Sequence, residues 1–182
     1  AAVCEDEVVA SYLGGVLCSA RTPNQRDDRA VAMIRLMDGL SSYALRAHCI
    51  VYASLLHQTE AKLSNVGKCI EEGRGLTLLF DDEELKARMG FQDGEDAELL
   101  LSHAFVNLSS NDLTMQGQRP IMLSEESRLS RSIHPTLRGI ELYCWGTGLG
   151  QLGTKAYFSQ QTPPAEIEAL HVIPKRVRIG HA

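Results

Sequence analysis

The residues best suited to chemistry are two histidines in helical surroundings. His48 lies on an apolar stripe with Tyr52 one turn later, a pair able to share a proton in general acid–base catalysis. On such a stripe the pair reads first as a hydrogen-bonded core histidine and its neighbour. His103 has Glu98 and Ser102 nearby but no partner at a diagnostic spacing, and His57, His171 and His181 read as surface residues. Gly148-Leu-Gly-Gln-Leu-Gly153 spells GxGxxG. In a dinucleotide site those glycines follow a strand and open a helix, so that backbone N–H groups meet the pyrophosphate. Here they follow a predicted helix, and the motif reads as a helix-ending loop. Asp81-Asp-Glu-Glu84 offers four carboxylates to a divalent cation, but a metal site draws ligands from several elements, whereas an acidic run at a helix start serves the cap and the dipole.

The cysteines Cys4, Cys18, Cys49, Cys69 and Cys144 are odd in number and contain no CxxC pair, so neither a zinc knuckle nor a thioredoxin-type motif is on offer. GxSxG, HExxH, Walker A and zinc-deaminase patterns are missing too. No catalytic residue, metal or cofactor is expected. The chain reads as non-enzymatic, with an enzyme built on His48 or His103 as the most remote alternative.

Nucleic-acid contacts are the other chemistry to weigh. Arg119, Arg128, Arg131 and Arg138 could line one patch, and Asn107 could reach a base edge. The balance of charge opposes this, because the net charge is −5 and residues 64–98 hold ten acids against four bases. A polyanion binder needs a basic surface.

These residues must be held by mainly helical elements. Val8, Val9, Tyr12, Leu13, Val16 and Leu17 recur at helical spacing and predict a helix over 6–20, with acids at its positive end. A polar loop over 21–28 ends in Asp28 as N-cap of a second helix, which stops at Gly39. Ser41 or Ser42 caps the strongest helix, with Leu40 as staple and Leu45, His48, Cys49, Tyr52, Leu55 and Leu56 as its stripe through to Leu63. These three helices are expected to pack together. Leu76 to Phe80 reads as a strand or buried turn, and Asp81 to Glu84 opens a helix ending at Gly90.

Further helices are predicted over 93–108 and 137–145. Between them, Gly117-Gln-Arg-Pro120 joins short strands at 113–115 and 121–123, while Ile133-His-Pro-Thr136 leads into the second of these helices, and a short acidic helix is predicted after Pro163-Pro164. Val172 to Ile179 is a basic, extended tail. The order helix, ribbon, helix resembles the second half of a winged-helix module. In that reading residues 95–108 form the recognition helix, and its expected exposed residues are Glu95, Asp96, Glu98, Ser102 and Asn107. Only Asn107 suits DNA, and an acidic recognition helix repels it.

The fold class that follows is mainly α, a helical bundle with a small β-ribbon and a winged-helix-like C-terminal part. Four segments are expected: a helical subdomain over 1–63, a connection over 64–92, the winged-helix-like part over 93–150 and an extension over 151–182. At 182 residues and 44% hydrophobic composition the chain can build its own core. No stretch reaches the roughly twenty apolar residues a membrane-spanning helix needs, and no basic-then-apolar leader occurs, so a reducing cytoplasm is expected. The start Ala1-Ala2-Val3, without Met, is what a piece excised from a longer protein presents.

Glu5-Asp-Glu-Val-Val-Ala-Ser-Tyr-Leu-Gly-Gly-Val-Leu-Cys-Ser-Ala20, the segment Leu40-Ser-Ser-Tyr-Ala-Leu-Arg46 and the turn Pro135-Thr-Leu-Arg-Gly139 together resemble the abortive infection alpha family of bacterial proteins. The likeness covers about the first sixty residues and a patch near 133–142. The chain departs from the family pattern at Tyr43 and Ala44, where proline or aspartate is usual, and 64–90 has no counterpart. The resemblance implies a helical core and a role in defence against phage, with no family catalytic residues to carry over. The expected function is contact with a protein partner or a second copy of the chain, with a winged-helix DNA-binding regulator as the alternative.

Overall fold

The computed structural model describes residues 7–21, 28–62, 75–116, 130–154, 157, 167 and 169–179. Its elements, in chain order, are α1 (Glu7–Ser19), α2 (Arg29–Asp38), α3 (Ser42–Lys62), β1 (Leu76–Asp81), α4 (Asp82–Met89), α5 (Ala97–Ser110), β2 (Thr114–Gln116), β3 (Ser130–Pro135), α6 (Leu137–Gly146), a 3-10 turn (Gly150–Leu152) and β4 (Arg176–Ile179). The chain is mostly helical. No described helix is long and apolar enough to cross a membrane.

α3 organises the core because it is apolar almost all round. Ala44, Leu45, Ala47, His48, Cys49, Ile50, Val51, Tyr52, Ala53, Ser54, Leu55 and Leu56 are all buried, which places the helix between neighbours rather than on a surface. It packs against α1, α4, α5 and α6. Its start is fixed by Ser41, whose Oγ accepts the Ala44 N–H at 3.1 Å, so Ser41 rather than Ser42 is the cap. α2 differs from expectation at both ends. Asp28 is itself in right-handed helical geometry and its side chain makes no cap bond, and Gly39 ends the helix without a left-handed turn.

The expected two-stranded ribbon is part of a larger sheet. β1 to β4 form four antiparallel strands in the order β2-β3-β1-β4. The partner of β2 is β3, paired Thr114 to Pro135 and Met115 to His134. The strand expected at 121–123 lies outside the described residues. β1 is the central strand, flanked by β3 (Leu79 opposite Ser132) and by β4 (Leu78 opposite Val177). This explains its apolar run, since Leu76, Leu78 and Phe80 face the helices and Leu79 is buried on the other face. The sheet takes strands from the segments 64–92, 93–150 and 151–182, and α1 to α3 of the segment 1–63 share the same core.

At the crossing of α1 and α6 two glycines meet. A Cβ on Gly15 would overlap the Gly146 carbonyl, and one on Gly146 would overlap the Tyr12 ring. Ser19 closes this corner by donating to Trp145 O at 3.1 Å and accepting the Gly150 N–H at 3.0 Å.

Candidate functional site

α5 starts where Asp96 Oδ1 accepts the Leu99 N–H at 3.0 Å. Its inner face is Leu101, Ala104, Phe105 and Leu108, at the spacing of one helical stripe. Its outer face is Leu99, Ser102, His103, Val106 and Ser110. Leu99 and Val106 are 49% and 52% exposed, an apolar pair on a helix whose own sequence holds no Arg or Lys. The predicted recognition helix therefore differs from its sequence reading in one important respect. Its outward side chains include two large apolar ones, and Asn107 turns the other way.

Asn107 ties α5 to the turn between α2 and α3. Its Oδ1 accepts the Ser41 N–H at 3.2 Å, while its carbonyl accepts from Asn111 Nδ2 at 2.9 Å. Arg131 is likewise engaged. From β3 its Nη2 reaches Asp82 Oδ2 at 3.1 Å and Glu98 Oε1 at 3.6 Å, and its guanidinium lies over the Phe105 ring, 5.2 Å from the centroid. Arg138 is half exposed and lies 3.6 Å from Asp112. Arg119 and Arg128 lie outside the described residues.

The acids beside α5 form a linked cluster. Lys86 bridges Glu98 at 2.7 Å and Glu83 at 3.0 Å, and those bonds hold its ammonium charged to well above the ordinary lysine range. Asp82 is raised by its burial, and Arg131 only partly offsets this. Asp81 is also buried, which works to raise it, but the bond from Lys175 and the N–H groups of Glu84 and Glu83 outweigh the effect and leave it lowered. Asp81 is thus the N-cap of α4, with its Oδ1 2.8 Å from Glu83 N. Among the described residues no group of three or more His, Cys, Asp or Glu side chains is arranged to hold a metal.

Arg131→Leu is expected to lower stability by about 2 kcal/mol, because Asp82, only 7% exposed at its side chain, loses its partner. Arg138→Ala is expected to change stability by less than about 0.5 kcal/mol. Urea midpoints of the two variants check the contrast, and equal midpoints would contradict the placement of Arg131.

No protein-family model, curated protein or solved structure matches the chain. Its chemistry must be read from its own geometry.

His48 is fully buried in an aromatic cluster. Its Nε2 lies 3.0 Å from the Gly139 carbonyl, which can only accept, so Nε2 carries the proton. Nδ1 then accepts from the Tyr12 hydroxyl at 2.8 Å. Burial lowers the imidazole pKa to about 3, and the bond to Gly139 offsets this only in part. Tyr52 packs on the ring and bonds elsewhere, donating to Leu113 O and accepting the Thr136 N–H at 2.9 Å. A neutral, saturated imidazole with no exposed atom has neither the access nor the proton affinity for acid–base work at neutral pH. His103 lies on the exposed face of α5, whereas His57 and His171 are half-buried and stack on each other with centroids 3.8 Å apart.

Gly148 to Gly153 follows α6 and wraps the 3-10 turn, where a Cβ on Gly150 would overlap the Trp145 ring. Gly150 makes room for an indole, while Gly148 and Gly153 adopt positive φ. A surface groove of about 500 Å³ is lined by Glu84, Ala87, Arg88 and His171 to Ile173, and Arg88 Nη1 at its wall donates to Ala169 O at 3.3 Å.

Sequence reasoning missed the structural polar residues Ser19 and Ser54, which are buried and bond across the fold. Ser54 Oγ accepts the Val172 N–H at 2.8 Å. It also missed the placement of Arg176 and Arg178 on a sheet, for which the alternation Arg-Val-Arg-Ile is the available signal.

Proposed function

We propose that this chain is a non-enzymatic protein-contact module of winged-helix-like topology, serving bacterial phage defence through the outer face of α5. Support for the topology comes from the order α3, β1, α4, α5, β2, β3 together with the sheet order β2-β3-β1, with β4 as an added edge strand. On that reading α5 takes the part of the recognition helix. The defence role rests on the sequence resemblance described above.

The observation that carries the reading is the composition of α5's outer face. Leu99 and Val106 are exposed there between Ser102, His103 and Ser110, and Glu98 stands at the acidic start of the helix. Apolar anchors with a polar rim suit a protein partner. A duplex needs Arg, Lys, Asn or Gln at the same positions and a cationic surround. The DNA-binding alternative is further weakened by the internal bonds of Arg131 and Asn107 and the pairing of Arg138.

The test compares the wild-type gene with Leu99→Asp/Val106→Asp in bacteria challenged by phage. Plating efficiency is expected to be restricted by the wild type, and roughly tenfold or more of that restriction lost in the variant, as when a central apolar anchor is removed. The purified variant should keep its melting temperature. Labelled duplex should show no salt-sensitive binding to either protein. Unchanged restriction by the variant, or micromolar duplex binding that weakens steeply with salt, would overturn the reading.

A further inference from the structure

We infer that the outer edge of β4 is a second contact surface, one that takes an extended acidic peptide as an added antiparallel or parallel strand. It is a different surface from the outer face of α5 and does not depend on that assignment.

β4 ends the sheet order, and among the described residues nothing pairs with its outer edge. An edge strand presents a row of backbone donors and acceptors, so another extended chain can pair with it. The side chains of β4 select which chain. Val177 faces the helices and packs on the core, opposite the fully buried Leu78. Arg176 and Arg178 therefore share the other face, opposite Leu79 and Thr77, and both are exposed. Neither guanidinium makes an ion pair among the described residues, in contrast to Arg131 and Arg138. Lys175, at the start of the strand, is held by buried Asp81, which fixes the approach of β4 to the sheet.

Charge decides between the occupants. Two copies of the chain pairing edge to edge would bring four arginines onto one face, a like-charge arrangement that opposes self-association. A strand with carboxylates at every second position would place them beside Arg176 and Arg178, and its intervening apolar residues would fall on the side of Val177. The ligand class is thus a peptide in which acidic and β-branched residues alternate. Duplex nucleic acid satisfies the arginines but has no strand to offer the edge.

The experiment uses the whole chain and a fluorescein-labelled, end-capped octapeptide alternating glutamate and valine, followed by anisotropy at two salt concentrations. Binding in the micromolar range is expected. It should weaken roughly tenfold or more in Arg176→Glu/Arg178→Glu, where attraction becomes repulsion, and persist in Arg176→Lys/Arg178→Lys. Exposed positions make both variants suitable, and their melting temperatures should match the wild type. The same peptide N-methylated at its valines and, separately, at its glutamates should bind far more weakly in the form whose methylated N–H groups face the edge, and the unmodified peptide should slow hydrogen exchange within residues 175–179. Leu99→Asp/Val106→Asp should bind the peptide as the wild type does, which keeps this test separate from that of α5. Absence of binding, equal binding by the glutamate variant, or indifference to N-methylation would overturn the proposal. So would competition by duplex at lower concentration than the peptide.

Discussion

Lowering the pH from 7 toward 4 is expected to remove about 3 kcal/mol of stability through His48 alone. The unfolded chain takes up a proton at this imidazole near its ordinary value of 6.5, whereas in the folded protein burial holds protonation off until about 3. Between those values the unfolded state binds one more proton than the native state, so stability falls as pH falls, by about 1.4 kcal/mol per unit. Above 6.5 both states are neutral and this contribution is flat. Geometry supports the same direction. A second proton, on Nδ1, would face the Tyr12 hydroxyl, which already donates there, and the new charge would sit among Tyr12, Tyr52 and Tyr143 with no carboxylate bonded to it among the described residues.

Urea midpoints at pH 7, 6, 5 and 4 measure the effect, with His48→Gln as the reference. A glutamine can donate to Gly139 O and accept from Tyr12 without titrating, so its curve should lack the His48 slope across this range. Asp81 has a lowered pKa, so its contribution also disappears on acidification, but below the carboxylate range rather than near 6. Parallel curves for the wild type and His48→Gln between pH 7 and 5 would contradict the neutral, fully bonded imidazole.

Gly139→Val is expected to destabilise the protein by about 3 kcal/mol or more. A Cβ at this position would overlap both the Tyr52 phenol oxygen and the Leu113 carbonyl, two atoms already bonded to each other. Tyr52 cannot step aside cheaply, because its hydroxyl also receives the Thr136 N–H and its own carbonyl accepts from Tyr157 at 2.6 Å. Gly14→Ala supplies the opposite case. It lies within α1 with nothing near its Cβ, so alanine should stabilise by up to about 1 kcal/mol through helix propensity. For a chain of this length each kcal/mol shifts the melting temperature by about 2–4 °C, so the two variants should melt on opposite sides of the wild type. Similar melting temperatures would refute the close packing of α3 on α6.

How much of this was legible in the sequence depended on whether a residue's role was local. α1, α3 and α5 have apolar stripes and helix starts that any reader can find, and Gly90 ends α4 in left-handed geometry as its type suggests. The full burial of α3 was less visible, since Ala44, Ala47, Ala53 and Ser54 look neutral until neighbours cover them. β3 was hidden for a different reason. Ser130, Arg131, Ser132 and His134 give no alternating apolar signal, and only Ile133 and the end of the strand are buried. It is a strand because β1 and β2 pair with it from both sides. The internal bonds of Arg131 and Asn107 were hidden on the same principle. Each is a plausible nucleic-acid contact by type, and each meets a group brought near only by folding: Asp82 across 49 residues and Ser41 across 66.

The placement of β1 bears on how the chain is made. Leu79 pairs with Ser132 on one side and with Arg176 on the other, so both neighbours of the central strand are synthesised well after it. At about 5–20 residues per second, β1 is made some three to ten seconds before β3 and roughly five to twenty seconds before β4. During that interval Leu76, Leu78, Leu79 and Phe80 are an apolar segment without either pairing partner, the kind of segment that associates with other nascent chains. Slow elongation lengthens that exposure and prompt capture by a holding chaperone covers it, so the yield of folded protein should respond to both.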